Sequence, residues 1–337
     1  MLRASALAGL LWLGACFDLS AQPLEKAVDQ IVRDSLKVWD VPGAAVVIVQ
    51  NDKVQLLKGY GKRELGRNEP VDAETIFPLG SCSKSFLALA LAILNDEGKI
   101  GWDDPVRKHL PGFHLFDSNA DGLVTIRDLV SHRTGGGGND LLWYRVPWSQ
   151  EESVRRLAYL PPTGSFRSSF HYSTLQFMAA GQAAAKHYPA GWPQLIRDRV
   201  LDPLQMSKTV FTSSEALRFP NHASAHRPNR EGKLEKIEWY VQAKPHDAGS
   251  VYTNATNLAK WLRFQLGDGS WSGRRLVSAA NFEETHKPNT LIPMTDLTKV
   301  WNPHSVQLSY AMGWVVQDYR GVRMLIHGGI IDGFKAI

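Results

Sequence analysis

Apolar residues recur at helical spacing from Leu24: Leu24, Val28, Ile31, Val32 and Leu36 share one stripe, so residues 24 to about 40 are expected to form an amphipathic helix. Pro42 and Gly43 end it. The period then changes. Residues 44–49 are an apolar, β-branched run, Asn51-Asp52 has turn chemistry, and residues 53–60 return, which predicts a hairpin. From Phe86 to Leu94 the chain is apolar on every face, so the helix expected over 83–97 should be buried all round. Further helices are predicted at 126–132, 150–159, 172–187, 192–200 and 254–266, joined by loops rich in Gly, Pro and aromatics. Strands return in "LSYAMGWVVQDY" and "GVRMLIHGG".

Strands at both ends with helices between define an α/β (α+β) class. An antiparallel sheet built from residues 22–80 and 246–337 is expected to be flanked by helices, with a mainly helical insertion over about 85–245. A groove between the two parts is a natural ligand site. The chain stops on "GGIIDGFKAI", which reads as the opening of a strand, so the C-terminal strands are expected to be truncated.

The first residues change the picture of where the chain works. "MLRASALAGLLWLGACFDLSAQP" has Arg3, a short apolar run and small residues near Ala21, the pattern of a secretory signal over 1–21. Its apolar core is shorter than the roughly 20 residues a membrane span needs. An exported, periplasmic or secreted protein of residues 22–337 is the expectation. Leu13–Cys16 also resembles a bacterial lipobox, which would make Cys16 a lipid-anchor site instead. Cys16 and Cys82 are the two cysteines, so removal of the leader leaves no pair for an internal disulfide. The formal net charge is +5, but the basic residues are scattered without a stripe or run, and nucleic acid is not an expected partner.

Candidate chemistry begins at "GSCSKS". Ser81 and Lys84 lie three apart, so on a helix they share a face. A helix cap with a solvated lysine is one reading, and Ser-x-x-Lys arises readily by chance. A nucleophile with its base is the other. Lys84 enters an apolar helix, where desolvation favours the neutral amine. A neutral amine can take a hydroxyl proton, and a helix N-terminus favours developing negative charge. No His-Glu-x-x-His or Cys/His zinc spacing occurs, no Gly-x-Ser-x-Gly elbow occurs, and no cofactor or metal is expected. The four glycines at 135–138 read as a flexible loop, and Trp143, Tyr144 and Trp148 after them as candidate rim aromatics or plain exposed packing. The remaining histidines carry no signal beyond ordinary packing.

"FPLGSCSKSFLALALAILNDEGKIGWDDPVRKHLP" resembles the opening motif of the serine β-lactamases, a family that includes penicillin-binding DD-peptidases and related esterases. Four further stretches agree in order. "VTIRDLVSHRTG" resembles a family segment between the first two motifs, "FHYSTLQFMAAG" the second motif, "DAGSVYTNATNLAKWL" the helix before the closing strands, and "IHGGIIDGF" the third motif of the class C-like branch. The resemblance spans roughly residues 24–337. It implies Ser81 as nucleophile, Lys84 and Tyr172 as proton handlers, and Thr174, His327, Gly328, Gly329 and Ile330 as substrate-binding positions. The amides of Ser81 and Ile330 would form an oxyanion hole. Thr174 stands where the family usually has Asn, and a hydroxyl offers fewer donors than an amide. The implied function is acyl-enzyme hydrolysis of a β-lactam, a D-amino-acid peptide or a short ester. A catalytically weak penicillin-binding, sensor or scaffold protein is the alternative.

Overall fold

The computed structural model describes residues 24–241 and 245–337. The expected targeting segment, with Cys16, lies outside the described residues. No helix among those described is long and apolar enough to cross a membrane.

Helix α1 (Leu24–Val38) forms as its periodicity predicts, yet none of its residues is buried, and Ile31 is 65% exposed. Polar contacts tether it to strand β2 (Lys53–Gly61): Lys58 pairs with Glu25 at 2.9 Å and Asp29 at 2.8 Å, and the Tyr60 hydroxyl donates to Asp29 at 2.7 Å. Strand β1 (Gly43–Gln50) runs antiparallel to β2. Asn51 and Asp52 both have positive φ, 50° and 59°, which matches the twist of a two-residue hairpin turn.

Helix α2 (Lys84–Asp96) is the axis of the core. Every residue from Lys84 to Leu94 is buried. Phe86 stacks on Trp261 of the Ala255–Gln265 helix, with ring centroids 3.9 Å apart. The helix Thr174–Ala185 is nearly as apolar and packs in the same cluster. Several predicted helices are shorter than their patterns. The one expected over 126–132 stops at Val130, because His132 adopts φ +57°. The one expected over 172–187 starts at Thr174, because Ser173 is extended. The 150–159 prediction divides into Gln150–Arg155 and a 3₁₀ turn Arg156–Tyr159, and Trp192–Val200 becomes Gly191–Ile196 followed by a π turn Arg197–Leu201.

Most strands lie toward the two ends of the chain and pair antiparallel, but they are divided among several small sheets, and one hairpin, Ala225–Pro228 with Leu234–Ile237, falls inside the segment expected to be helical. The largest has the order Val322–Ile326, Val315–Tyr319, Leu308–Tyr310, Thr290–Ile292. Gly329–Ile331 and Phe334–Ala336 form a separate hairpin. A cavity of about 1410 Å³ is lined by Val46 and Val47 of β1 and by Leu325 and Ile326 of the four-stranded sheet, and the two pairings are separate sheets.

Candidate active site

The site is built around a 3₁₀ turn, Gly80–Ser83, that feeds directly into α2. Ser81 lies inside this turn, and neither Leu79 nor Ser83 caps with its side chain, so the cap reading of Ser81 does not hold. Because the turn runs on into α2, Ser81 and Lys84 share a face. The Lys84 Nζ lies 3.1 Å from Ser81 Oγ and donates to the Ala248 carbonyl at 2.9 Å. Lys84 is fully buried. The faces of Tyr172 and Phe177 approach its ammonium end, with centroids at 4.9 Å and 5.5 Å. Aromatic faces and a carbonyl are the environment in which an amine tolerates burial in either protonation state.

Ala248 is delivered by the strap 246–251. The Val251 amide donates to Ser83 Oγ at 3.0 Å, and the Leu79 amide donates to the Val251 carbonyl at 2.8 Å. Strand Phe77–Pro78 continues this pairing against Tyr252–Thr253. The strap is thus docked on the turn that holds Ser81.

Strand Gly329–Ile331 closes the opposite side. Gly80 has φ +51°, and a Cβ there would sit 2.8 Å from the Ile330 amide nitrogen. A Cβ on Gly329 would overlap the Leu79 carbonyl and crowd the Ser81 amide. Two glycines facing each other therefore let the strand come to contact with the nucleophile turn. The Ile330 side chain is 74% exposed, so its backbone is what meets the turn.

His327 departs from a simple lining role. It is 7% exposed, and both ring nitrogens are engaged: the Tyr310 hydroxyl donates to Nε2 at 2.9 Å, and Nδ1 donates to the Gly328 carbonyl at 2.8 Å. Burial, and then the Lys84 charge, lower its pKa to about 3, so the ring is neutral. Cys82, beside the nucleophile, is inert by the same logic: burial pushes its thiol up to about 12, and Sγ donates to the His327 carbonyl at 3.1 Å. Thr174 is the first residue of its helix and 4% exposed, packed inside rather than open to the groove.

Around Tyr172 the structure assembles residues that the sequence reading passed over. His132 is fully buried with its ring centroid 4.3 Å from that of Tyr172, and Tyr310 lies 6.1 Å from it. His246 and Asp247, on the strap, are also buried. Burial lowers His246 to about 3, with the Lys84 charge adding to the shift, and raises Asp247 to about 8 against the opposing pull of Lys84. Asp247 fits only because a Cβ on Gly181 is missing, since one would overlap its carboxyl group. The stretch "VSHRTG" and the strap residues preceding "AGSVYTN" were the available signals, but no spacing ties either to Ser81.

The glycine run is not a free loop. Gly135, at φ +82°, accepts the amides of Thr163 and Gly164 at 2.9 Å and 3.1 Å. Of the aromatics after it, Tyr144 donates to Asp332 at 2.6 Å and Trp143 packs on His246, so these two sit at the rim. Trp148 is tied down beneath the loop, donating to the Leu142 carbonyl at 2.9 Å.

Fold and site together define a class: a mixed α/β protein whose core helix opens on a fully buried lysine in contact with a half-buried serine, walled by a tyrosine segment and a glycine strand. Comparison makes the assignment specific. The Beta-lactamase family model matches residues 28–337, and the chain belongs to that family. Among curated relatives it is 26% identical to unguisins hydrolase ungD of Aspergillus violaceofuscus, over 96% of this chain and 60% of that protein. It is 29% identical to unguisins hydrolase ungD' of Aspergillus campestris, over 94% and 59%, and 25% identical to protein flp of Staphylococcus aureus, over 93% and 59%. The chain therefore spans about 60% of the length of these relatives. The fold matches the octameric penicillin-binding protein homologue of Pyrococcus abyssi at TM-score 0.81 and 21% identity, covering 92% of this chain and 69% of that one. It also matches the D-amino acid amidase of Ochrobactrum anthropi at TM-score 0.74 and 19% identity, covering 93% and 86%.

Proposed function

We propose that the chain is a serine hydrolase that works through an acyl-enzyme on Ser81. The observation that carries this reading is the fully buried Lys84 Nζ at 3.1 Å from Ser81 Oγ, also bonded to the Ala248 carbonyl. A neutral amine in that position donates one hydrogen to Ala248 and offers its lone pair to the Ser81 hydroxyl. Ser81 Oγ forms a bond to the substrate carbonyl carbon, and its proton passes to Lys84. The Ser81 and Ile330 amides receive the oxyanion, a contribution of roughly 3–4 kcal/mol per donor in comparable sites. The C–N or C–O bond to the leaving group then breaks, and Lys84 with Tyr172 returns the proton to that group. Water adds to the acyl carbon, the acid departs and Ser81 regains its hydrogen.

The substrate is an acyl compound of the β-lactam, D-amino-acid peptide or amide, or short-ester class, handled in a class C-like arrangement. Thr174 in place of the family's asparagine favours the ester end of this range. His327 is neutral and locked to Tyr310, so it acts as shaped wall and not as a cation. The leader motif supports an exported protein, periplasmic or secreted, with Cys16 as the anchor residue in the lipidated alternative.

A panel on one preparation tests this: nitrocefin, nitrophenyl acetate, a D-amino acid amide and a D-Ala-D-Ala peptide. At least one should be turned over with a burst of acyl-enzyme. Failure of all four, with no mass added to Ser81, would leave the weak binding or sensor reading in its place.

A further inference from the structure

The segment 131–136 runs alongside residues 163–173 and holds them by a ladder of backbone bonds. Gly135 accepts from Thr163 and Gly164, Arg133 accepts the Arg167 amide at 2.7 Å, and His132 accepts the His171 amide at 3.0 Å. Both edges are fixed to the body of the protein. Buried Asp128 binds Arg133 at 2.5 Å and Arg167 at 2.8 Å, and Thr290 Oγ donates to the Ser131 carbonyl at 2.8 Å.

His132 adds something the rest of the ladder lacks. Its Nδ1 accepts the Ser173 amide at 3.1 Å. The two amides it binds, those of His171 and Ser173, flank Tyr172. Its ring also lies against the Tyr172 ring at 4.3 Å, and against Tyr310 and Phe177 at 4.5 Å and 5.1 Å. A single residue therefore contacts the chain before Tyr172, the chain after it and the phenol itself. Because Nδ1 is an acceptor, the ring proton is on Nε2 and the imidazole is neutral. Its buried surroundings agree: the titratable groups around it are Lys84, His327, Tyr172 and Tyr310, and burial with the Lys84 charge opposes a second positive charge. The φ of +57° is unusual for a non-glycine residue, and the surrounding bonds hold it there.

We propose that His132 is a positioning residue for Tyr172: its carbonyl and Nδ1 clamp the amides on either side, and its ring face sets the phenol against Lys84. The proposal rests on the reading of Tyr172 as a proton carrier. Histidine suits the task because it supplies a neutral acceptor and a flat ring at once. Asparagine is the conservative replacement, since it tolerates left-handed φ and its Oδ1 can reach the Ser173 amide.

The test compares the full chain with His132→Asn and His132→Leu. In the unaltered protein, nitrogen-15 histidine spectra should show His132 with acceptor Nδ1 and protonated Nε2, without titration between about pH 5 and 8. The carbon-13 ζ signal of Tyr172 should be displaced in His132→Leu, which loses both the acceptor and the ring, and displaced by less in His132→Asn, which keeps the acceptor but loses the ring. Fluorophosphonate labelling of Ser81 should slow by about 30–100-fold in His132→Leu and by less than about 3-fold in His132→Asn, with ester KM little changed. A His132 that titrates normally, or an unmoved Tyr172 signal in His132→Leu, overturns the proposal. If His132→Leu fails to fold, the unaltered protein and His132→Asn decide it through the same two signals. Absence of labelling in the unaltered protein would instead count against the hydrolase reading, and the Tyr172 signal would still judge the clamp.

Discussion

The two sides of the site are built by different means. The Ser81–Lys84 side is local: one 3₁₀ turn and one helix carry both groups, and their three-residue spacing sets the 3.1 Å approach. The Tyr172 side is assembled from distant segments, with His132, Tyr172, Tyr310 and His327 meeting ring against ring. The first side is fixed by helix geometry and a fully apolar core. The second is fixed by buried hydrogen bonds, Tyr310 to His327 and Ser173 to His132, each costly to leave half-made. Local chemistry can thus be read from spacing, whereas the orientation of its partner wall depends on tertiary contacts.

The largest effect should come from breaking the local side. Lys84→Ala removes the amine that lies 3.1 Å from Ser81 Oγ, and acylation is expected to fall by at least about 10³-fold, read as a stopped-flow acylation rate. The fold should survive, because losing a buried amine also removes its desolvation cost.

Next is the junction between the two sides. Gly329→Ala places a methyl group against the Leu79 carbonyl and pushes the Ile330 amide away from Ser81. Acylation should slow by about 100–1,000-fold, the range for loss of one oxyanion donor, while substrate affinity changes little. An unchanged rate would show that the strand does not supply that donor.

The smallest effect is on stability. Asp247 is raised to about 8 by burial. Between the ordinary aspartate value of about 4 and about 8, the folded chain keeps a proton that the unfolded chain has released, so stability falls as pH rises through that window. The buried His246 and His327, lowered to about 3, act in the opposite sense. Below about pH 6.5 the unfolded chain takes up protons that the folded chain refuses, so their share of stability is lost as pH drops. The melting temperature should therefore peak near pH 6.5 and decline toward pH 8, and Asp247→Asn should remove the alkaline decline. Parallel melting curves for the two proteins between pH 6.5 and 8.5 would contradict this.

Much of this was legible in the chain. The hairpin was visible in its β-branched run and Asn51-Asp52 turn, and the burial of α2 in its lack of a polar face. The motif resemblance points to Ser81, Lys84 and Tyr172, and in the structure Lys84 Nζ lies 3.1 Å from Ser81 Oγ and 4.9 Å from the Tyr172 ring centroid. What pattern could not show was that the α1 stripe would be covered only in part, with Val28, Val32 and Leu36 half-buried and Leu24 and Ile31 exposed, because an amphipathic stripe does not say which surface is there to cover it. Nor could it show that Gly135 is clamped, since glycine permits both flexible and tightly held turns. His132, Asp247 and Tyr310 escaped because nothing in their local sequence separates a buried histidine, acid or tyrosine at a site from one in an ordinary core.

The central claim is that Ser81 is the nucleophile and Lys84 its base. Peptide mass mapping after fluorophosphonate treatment tests it most directly, on the unaltered chain and on folded Lys84→Ala side by side. The account predicts stoichiometric mass addition on the peptide carrying Ser81 in the first protein and almost none in the second. A label on another residue, or equal labelling of Ser81 in both proteins, would contradict it.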